Sequence, residues 1–361
     1  GDGLYKTVDG GLSFTRVGLR ETQTIARIVI DPRHPDVIYG VARGHLYGPN
    51  PERGIYKSTD AGATWTKIKY VDENTGFTEL VMDPSNSSVL YAASYQRRRR
   101  GCCYNGGGPG SALWKTTDAG KSWTKLIGGG LPPGPYGRIA IDVAPSDPRI
   151  VYAQIGAGDA HLVFADRVAN APTPTPRPGT QSLAPGSWTT PGGDANRYWC
   201  DNGARSPSPA VAARGTPILD PAQGGVFRSS DGGRNWTLVN NCNERPMYFS
   251  QIRVDPRDAN LVYVGGGVLS RSLDGGRTFT KLDPVHSDQH AIWIDPRNSR
   301  HLMVGNDGAL NISYDRGESW ILINSMATAT AYSVAADTMR PYNLYIGLQD
   351  NASWGGPSAT R

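Results

Sequence analysis

The stretch Arg228-Ser229-Ser230-Asp231-Gly232-Gly233-Arg234-Asn235-Trp236-Thr237 decides how this chain folds. It predicts two short strands joined by a turn. The carboxylate of Asp231 and the hydroxyl of Ser229 are short enough to bond backbone N–H groups within the turn. Glycine supplies the positive φ that other residues resist. Trp236 then buries a large ring while its indole N–H can still find a hydrogen-bond acceptor.

The same pattern, Ser/Thr-x-Asp-x-Gly-x-x-Trp/Phe, occurs six times along the chain. Its aspartates are Asp9, Asp60, Asp118, Asp231, Asp274 and Asp315. Six matches at four constrained positions do not arise by chance, so the sequence indicates a repeat protein. We predict that all six aspartates are structural turn residues.

These motifs resemble the Asp-box, or bacterial neuraminidase, repeat of sialidases, sortilin-type propellers and tandem-propeller xyloglucanases. The order of segments, including Gly44–Asn50 and Gly347–Asn351, is similar to that of a large group of bacterial proteins with a sortilin-type N-terminal domain. The resemblance covers nearly the whole chain except residues 157–223. It implies a β-propeller in an exported protein, but it implies no activity, because the Asp box is a structural hairpin in all these relatives.

A second unit alternates with the Asp box. It reads apolar-x-apolar-Asp-Pro, a short turn, then apolar-Tyr-apolar, and Ile28–Ala42 is the clearest copy. The other copies are Leu80–Ala93, Ile139–Gln154, Ile252–Gly265, Ile292–Gly305 and Val334–Gly347. Alternating β-branched residues around a turn predict a hairpin. Each repeat is therefore a four-stranded blade, with strands A and B from this unit and strands C and D from the Asp box. The predicted fold is an all-β propeller with six blade-equivalents.

The ends of the chain leave two arrangements open. The chain starts at a C–D hairpin and stops just after an A–B hairpin. Residues 1–17 can pair with 333–347 and close a six-bladed ring, which would hide the sheet edges. Alternatively, the chain belongs to a parent of seven or more blades, as the family resemblance implies.

Residues 1–361 are predicted to form one propeller domain with one insertion. The interval from Asp118 to Asp231 is too long for a single blade, and the excess lies in residues 157–223, which are rich in Pro, Gly and Ser. Such a composition favours an extended loop within one blade. A degenerate extra blade is the alternative.

Composition excludes several classes of protein. The net charge of +5 is modest, and neither a nucleic-acid-binding motif nor an apolar run of about 20 residues is present. The four cysteines, Cys102, Cys103, Cys200 and Cys242, allow three disulfide pairings and show no zinc-site spacing. We predict no cofactor and no metal. An extracytoplasmic location (periplasm, cell surface or medium) follows mainly from the family resemblance.

Candidate sites are expected on one face of the propeller. The A–B and C–D turns share the structural face, whereas the D–A and B–C loops share the other and are expected to carry function. The candidate binding residues are His286, His290, Arg43, His45 and Gln349. The candidate catalytic residues are Asp288, Asp307 and Asp350. Two such carboxylates suit the cleavage of a glycoside, whereas solvated loop histidines and turn-capping aspartates are the structural alternative.

Three arginines are also notable. Arg27, Arg138 and Arg253 are expected at equivalent places near the start of strand A, pointing towards the central channel or into the packing between blades. They are predicted to bond neighbouring backbone carbonyls, and binding of a carboxylate substrate is the alternative.

The sequence favours an exported, non-catalytic recognition or scaffold propeller that binds a protein or peptide through its D–A and B–C loops, either by itself or within a larger complex. The alternative is a glycoside hydrolase or glycan-binding propeller, supported by the aromatic content and the resemblance to glucanases. No set of residues identifies an enzyme. The partner, the cysteine pairing and the oligomeric state are left open.

Overall fold

A computed structural model describes residues 1–99, 104–157, 219, 224–243, 250–323, 330–349 and 353–359. These residues form 27 strands in antiparallel sheets, and the one helical element among them is a 3₁₀ turn at Arg20–Thr22. The predicted all-β propeller architecture is confirmed.

Five sheets are complete four-stranded blades, numbered I to V along the chain. Blade I contains β3 (Ile25–Ile30), β4 (Ile38–Ala42), β5 (Gly54–Ser58) and β6 (Thr66–Lys69). Blade II contains β7 (Thr75–Asp83), β8 (Asn86–Gln96), β11 (Ala112–Thr116) and β12 (Thr124–Leu126), and β9 (Arg98–Arg99) pairs with β10 (Tyr104–Asn105) in its B–C loop. Blade III contains β13 (Tyr136–Val143), β14 (Val151–Ala157), β15 (Gly224–Ser229) and β16 (Thr237–Asn240). Blade IV contains β17 (Gln251–Val254), β18 (Val262–Gly265), β19 (Leu269–Ser272) and β20 (Thr280–Lys281). Blade V contains β21 (Gln289–Ile294), β22 (Leu302–Asn306), β23 (Leu310–Ser313) and β24 (Ile321–Ile323).

The two ends of the chain form smaller sheets. The first Asp box lies between β1 (Leu4–Lys6) and β2 (Thr15–Gly18), which pair with each other. The last A–B hairpin is β25 (Ala331–Ala336) and β26 (Asn343–Leu348). The outer edge of β26 is taken by β27 (Ser353–Pro357). The suggested pairing of residues 1–17 with 333–347 is therefore wrong for this structure, because another strand occupies the edge that it needs.

The Asp-box turns are held by local hydrogen bonds. In blade III the Ser229 hydroxyl accepts the Gly233 N–H at 2.8 Å and donates to Asp231 Oδ1 at 2.9 Å. The same carboxylate oxygen accepts the Asn235 N–H at 2.9 Å. The hydrogen bonds that the Asp231 carboxylate accepts lower its pKa, and the bond from the Asn235 backbone is the largest cause. The side-chain bond from Thr64 is the largest of the causes that lower the pKa of Asp60 to about 2. The geometry is that of a structural turn in both blades.

The Asp-box turns of blades II and III also join neighbouring blades. The residue after the aspartate adopts a left-handed conformation, with φ of 57° at Ala119 and 70° at Gly232. This turns its carbonyl towards the preceding blade. There the Gly232 oxygen accepts hydrogen bonds from Tyr91 Oη at 2.9 Å and Lys115 Nζ at 2.7 Å. Ala119 is bonded in the same way by Tyr39 and Lys57. The tyrosine of the A–B unit therefore bridges to the next blade.

The hydrophobic core lies between blades. Ile139 and Ile141 of strand A in blade III pack with Tyr91 and Leu113 of blade II, and equivalent clusters separate the other consecutive blades. Ile141 is fully buried, whereas Ile28, at the same repeat position of blade I, is 52% exposed. The difference follows from stacking, because strand A buries its apolar face against the preceding blade, and only the two-stranded β1–β2 sheet precedes blade I.

The long interval between the Asp boxes of Asp118 and Asp231 falls within blade III. Strand β14 ends at Ala157, strand β15 begins at Gly224, and the two are paired neighbours. The predicted insertion at 157–223 thus connects strands B and C, and all of it except Ala157 and Leu219 lies outside the described residues. Cys242 is buried and disulfide-bonded. The other three cysteines lie outside the described residues.

Candidate functional site

The D–A and B–C loops meet on one side of the molecule, which we call the loop face. In blades I and II the Arg99 N–H donates to the Leu46 carbonyl at 3.1 Å. In blades IV and V the Asp288 N–H donates to Gly267 at 3.1 Å. On the opposite side, the Asp-box face, each Asp-box turn meets the A–B turn of its own blade, as where Gly232 N–H donates to Arg149 at 2.8 Å. The two faces are separated as the repeat pattern predicts.

The structure brings together two of the candidate residues on the loop face. His290 Nε2, near the start of β21, lies 2.6 Å from Asp307 Oδ1 in the turn that follows β22. The imidazole is 50% exposed and the carboxylate 24% exposed, so a ligand can reach both. This His290–Asp307 pair can present one hydrogen-bond acceptor and one donor side by side.

The tight turn after β22 explains the contact. Asn306 caps that turn by accepting the N–H groups of Gly308 at 3.1 Å and Ala309 at 2.9 Å. Asp307 is therefore not needed as the turn cap and can face His290. A Cβ at Gly308 would lie 2.5 Å from Cγ of His286, so the absence of a side chain there lets the His286 ring pack against the turn.

The remaining candidates of this region occupy other positions. Asp288 has a left-handed backbone, with φ of 65°, at the start of strand A. Gln349 follows β26, where its N–H donates to the Thr330 carbonyl at 2.9 Å. Asp350 lies outside the described residues. Within the part of the chain that the structure describes, no three His, Cys, Asp or Glu side chains are arranged to hold a metal ion.

Arg43 and His45 lie in the B–C loop of blade I, which is held by a residue that the sequence analysis missed. Arg53 is 1% exposed and donates to the carbonyls of Glu73 at 2.8 Å and Gly48 at 3.0 Å. It also donates to the carbonyls of Arg43 and His45. In the sequence, only a lone arginine directly before strand C indicates this role, and such a residue is a weak indication of a buried anchor. This Arg53-anchored loop, residues 43–53, is fastened to the adjacent D–A loop through Glu73.

The three arginines are not equivalent, and the prediction that they are is wrong. The A–B turn is marked by one backbone bond, from an N–H to the carbonyl six residues later, made by Asp31, Ala144 and Asp255. Counted from that turn, Arg27 is four residues earlier, Arg138 six and Arg253 two. The residues around the three arginines are similar in sequence, which suggested a common register. In blade III, however, the A–B turn begins at Ala144 and not at Asp142. The offsets of Arg27 and Arg253 are both even, so these two arginines lie on one side of strand A at different heights, whereas Arg138 lies where the register of β13 shifts.

Ionic contacts link the inner strands. Arg27 of β3 bonds Glu79 of β7 through two nitrogens, at 2.9 and 3.1 Å, and its Nη2 donates to Gln251 of β17 at 3.2 Å. The last contact joins blades I and IV, so these side chains meet at the centre of the propeller. Asp142 accepts the Val254 N–H at 2.8 Å, and burial raises the pKa of its carboxyl. Arg27 points towards the channel, which is one of the two directions expected, and its partner is a carboxylate rather than a backbone carbonyl.

Comparison with known proteins supports the fold. Residues 2–129 match the family model of Sortilin-Vps10, described as sortilin, neurotensin receptor 3. The chain is an Asp-box β-propeller similar to this type, as its motifs predict. A crystal structure of an ancestral GH74 enzyme superposes with a TM-score of 0.54 at 12% identity, covering 96% of this chain and 40% of that one.

Curated relatives include xyloglucanases. One from Hypocrea jecorina is 28% identical over 149 residues, which is 38% of this chain and 17% of the relative. A probable oligoxyloglucan-reducing end-specific xyloglucanase from Neosartorya fischeri is 22% identical over 369 residues, covering 85% of this chain and 40% of the relative. The chain spans less than half the length of these relatives. Among the described residues, no helix is both long and apolar enough to cross a membrane.

Proposed function

We propose that this chain is an extracytoplasmic glycan-recognition propeller that binds a xyloglucan-type polysaccharide across its loop face. The observation that carries the proposal is the alignment with a xyloglucanase over 85% of the chain. This alignment supports a glycan, rather than a protein, as the ligand. The disulfide at Cys242 fits the location, because disulfides persist in oxidising compartments.

The loop face has surfaces that suit a sugar chain. Tyr47 projects from the Arg53-anchored loop and Tyr70 from the D–A connection beside it, and both rings are exposed. Sugar rings have apolar C–H faces that pack on aromatic rings, and their hydroxyls need polar partners. Buried Arg53 fixes the backbone of both loops, so little conformational entropy would be lost on binding. The His290–Asp307 pair offers polar contacts in blade V.

We propose recognition rather than hydrolysis because Asp307 is bonded to a histidine rather than to a second carboxylate. Glycosidases place two carboxyl groups about 5–10 Å apart. Here the side chain bonded to Asp307 is an imidazole. Asp288 and Asp350 are retained as the candidates for a second carboxylate, and hydrolysis is measured in the same experiment.

A peptide or protein partner is the second candidate. The match to the sortilin model, whose description names a neurotensin receptor, covers residues 2–129 and so includes the Arg53-anchored loop. The loop that would bind a glycan therefore lies within the segment related to a peptide receptor.

Calorimetric titration with xyloglucan oligosaccharides tests the proposal. Tyr47→Ala and Tyr70→Ala should each weaken binding about tenfold, equivalent to about 1.4 kcal/mol. Tyr314→Ala is the matched control, because the exposure of Tyr314 lies between those of Tyr47 and Tyr70 but its ring adjoins an Asp box. Absence of xyloglucan binding, or an equal loss in the control, would contradict the proposal. Release of reducing sugar that disappears in Asp307→Asn would instead establish hydrolysis.

A further inference from the structure

Lys67 lies on the outer strand of blade I, directly opposite Tyr56 across the β5–β6 pair. Its ammonium group donates to the Pro51 carbonyl at 2.6 Å and lies 3.6 Å from the carboxylate of Glu52. Both of these residues belong to the Arg53-anchored loop, whose backbone is held by buried hydrogen bonds. The contacts therefore fasten the end of the Lys67 side chain to a fixed part of the loop face.

The same ammonium group lies over two aromatic rings. Its distance to the ring centroid is 5.1 Å for Tyr70 and 5.5 Å for Tyr56. A cation within about 6 Å of a ring centroid is attracted to the electron-rich face, more strongly as the cation loses water. The Lys67 side chain is 29% exposed, so its charge is only partly hydrated. Lys67 is therefore placed to hold the ring of Tyr70 against the loop.

The ring of Tyr70 has a free side for a ligand. The ammonium group lies over one face, and 42% of Tyr70 remains exposed. The connection that carries the ring is held at two points, by Lys67 at Tyr70 and by Arg53, which donates to the Glu73 carbonyl at 2.8 Å. An aromatic side chain that is already held in one orientation loses little conformational entropy when a ligand binds.

Blade II has the same lysine without the tyrosine. Lys125 occupies the place of Lys67, two residues after the Asp-box tryptophan, and it also lies opposite an aromatic residue, Trp114. Five residues after the tryptophan, blade I has Tyr70 and blade II has Gly128. A lysine opposite an aromatic residue is therefore shared by the two blades, and blade I adds the exposed ring.

We infer that Lys67 is a positioning residue for ligand binding, which holds the ring of Tyr70 so that its open face is presented to a sugar of the glycan. The inference rests on the proposed function, because a sugar is the ligand that this ring is expected to contact. It gives the two tyrosines of the site different requirements. Tyr70 depends on Lys67, whose ammonium group lies over it, whereas Tyr47 projects from the Arg53-anchored loop itself.

The first measurement needs no ligand. Fluorotyrosine is placed at position 70 of the whole chain, and its fluorine NMR relaxation reports how freely the ring moves. The transverse relaxation rate should fall about twofold in Lys67→Met, because the ring is released. Lys67→Arg should restore the slower motion, since a guanidinium keeps the charge and also stacks on aromatic faces. Lys125→Met is the matched control and should leave the rate unchanged.

The second measurement is calorimetric titration with xyloglucan oligosaccharides. Lys67→Met should weaken binding about threefold, the size expected for the loss of one partly exposed cation–π contact. The substitution should have no further effect in a Tyr70→Ala background, because it acts through that ring. In a Tyr47→Ala background it should still weaken binding by the same factor. Lys125→Met should bind like the unaltered protein.

Unchanged relaxation in Lys67→Met would overturn the inference, and so would a loss of affinity that persists in the Tyr70→Ala background. An equal change in Lys125→Met would also overturn it, because the effect would then belong to any lysine of an outer strand. Absence of xyloglucan binding in the unaltered protein would count against the proposed function. In that case the relaxation measurement still decides whether Lys67 holds the ring of Tyr70.

Discussion

Ser229 is the residue on which the repeated turn depends most directly. Its hydroxyl is buried and is the acceptor for the Gly233 N–H inside the turn. Removing it leaves that N–H without a partner in a site that water cannot easily enter. Ser229→Ala should therefore lower the free energy of unfolding by about 1–3 kcal/mol, measured by urea denaturation. Ser229→Thr should not, since Thr116 fills the same position in blade II. Equal stability of the alanine variant would refute the assigned role.

The Asp-box carboxylates predict sensitivity to acid. Hydrogen bonds from Thr64 lower the pKa of Asp60 to about 2, from an ordinary value of 3.8. Because the folded-state pKa is the lower one, the ionised group stabilises the fold above about pH 4, and this contribution is lost as pH falls towards about 2. Asp60→Asn cannot titrate. Its urea midpoint should therefore fall less between pH 6 and pH 3 than that of the unaltered protein, and an identical fall would contradict the assignment.

At the scale of elements, the B–C loop of blade I is anchored by one buried side chain, that of Arg53. Arg53 satisfies several backbone carbonyls of the loop it follows, and it joins that loop to the next D–A connection. The left-handed Gly44 fits against it, since a Cβ there would lie 2.5 Å from Arg53 Cγ.

Replacing this anchor should be costly. Arg53→Gln would leave buried carbonyl oxygens without donors, so we expect a loss of more than about 2 kcal/mol in the free energy of unfolding. Hydrogen exchange should also become faster in residues 43–53. Arg33→Gln is the control, because Arg33 also bonds backbone carbonyls but is exposed on the Asp-box face. Similar losses in both variants would mean that burial of Arg53 is not what matters.

At the scale of the whole molecule, stability depends on the stacking of blades. Ile141 is buried against blade II, whereas Ile28 occupies the equivalent place in blade I and is half exposed. Ile141→Ala should cost about 2–5 kcal/mol because it opens a cavity between blades. Ile28→Ala should cost less than about 1 kcal/mol. Chemical denaturation of both variants measures the difference, and equal costs would show that blade I is covered in solution.

The insertion in blade III gives a second prediction at this scale. Strands β14 and β15 pair directly up to Gly156 and Gly224, so the sheet does not need the intervening residues to form. Deleting residues 165–195 should leave a single cooperative thermal transition, since closure entropy changes by only about 0.6 kcal/mol per doubling of loop length. A broad or split transition would show that the segment is an integral blade.

The sequence by itself determined the Asp-box turns, the A–B hairpins and the all-β propeller, because the contacts that form them join residues within a few positions of each other. Asp231, for example, bonds Asn235 wherever the blade lies in the ring. The order of the four strands in each blade also determined that the turns lie on one face of the propeller and the D–A and B–C loops on the other.

Tertiary structure alone decided the features that depend on register and ring position. The motif around Arg138 resembles that around Arg27, but the A–B turn of blade III begins two residues later than the letters suggest, which places the two arginines at different heights. The packing of strands and blades likewise decides three other features. They are the contact of His290 with Asp307, the anchoring of a loop by Arg53, and the exposure of Ile28. Such contacts follow from how twisted sheets stack in three dimensions, and local spacing in one chain does not encode them.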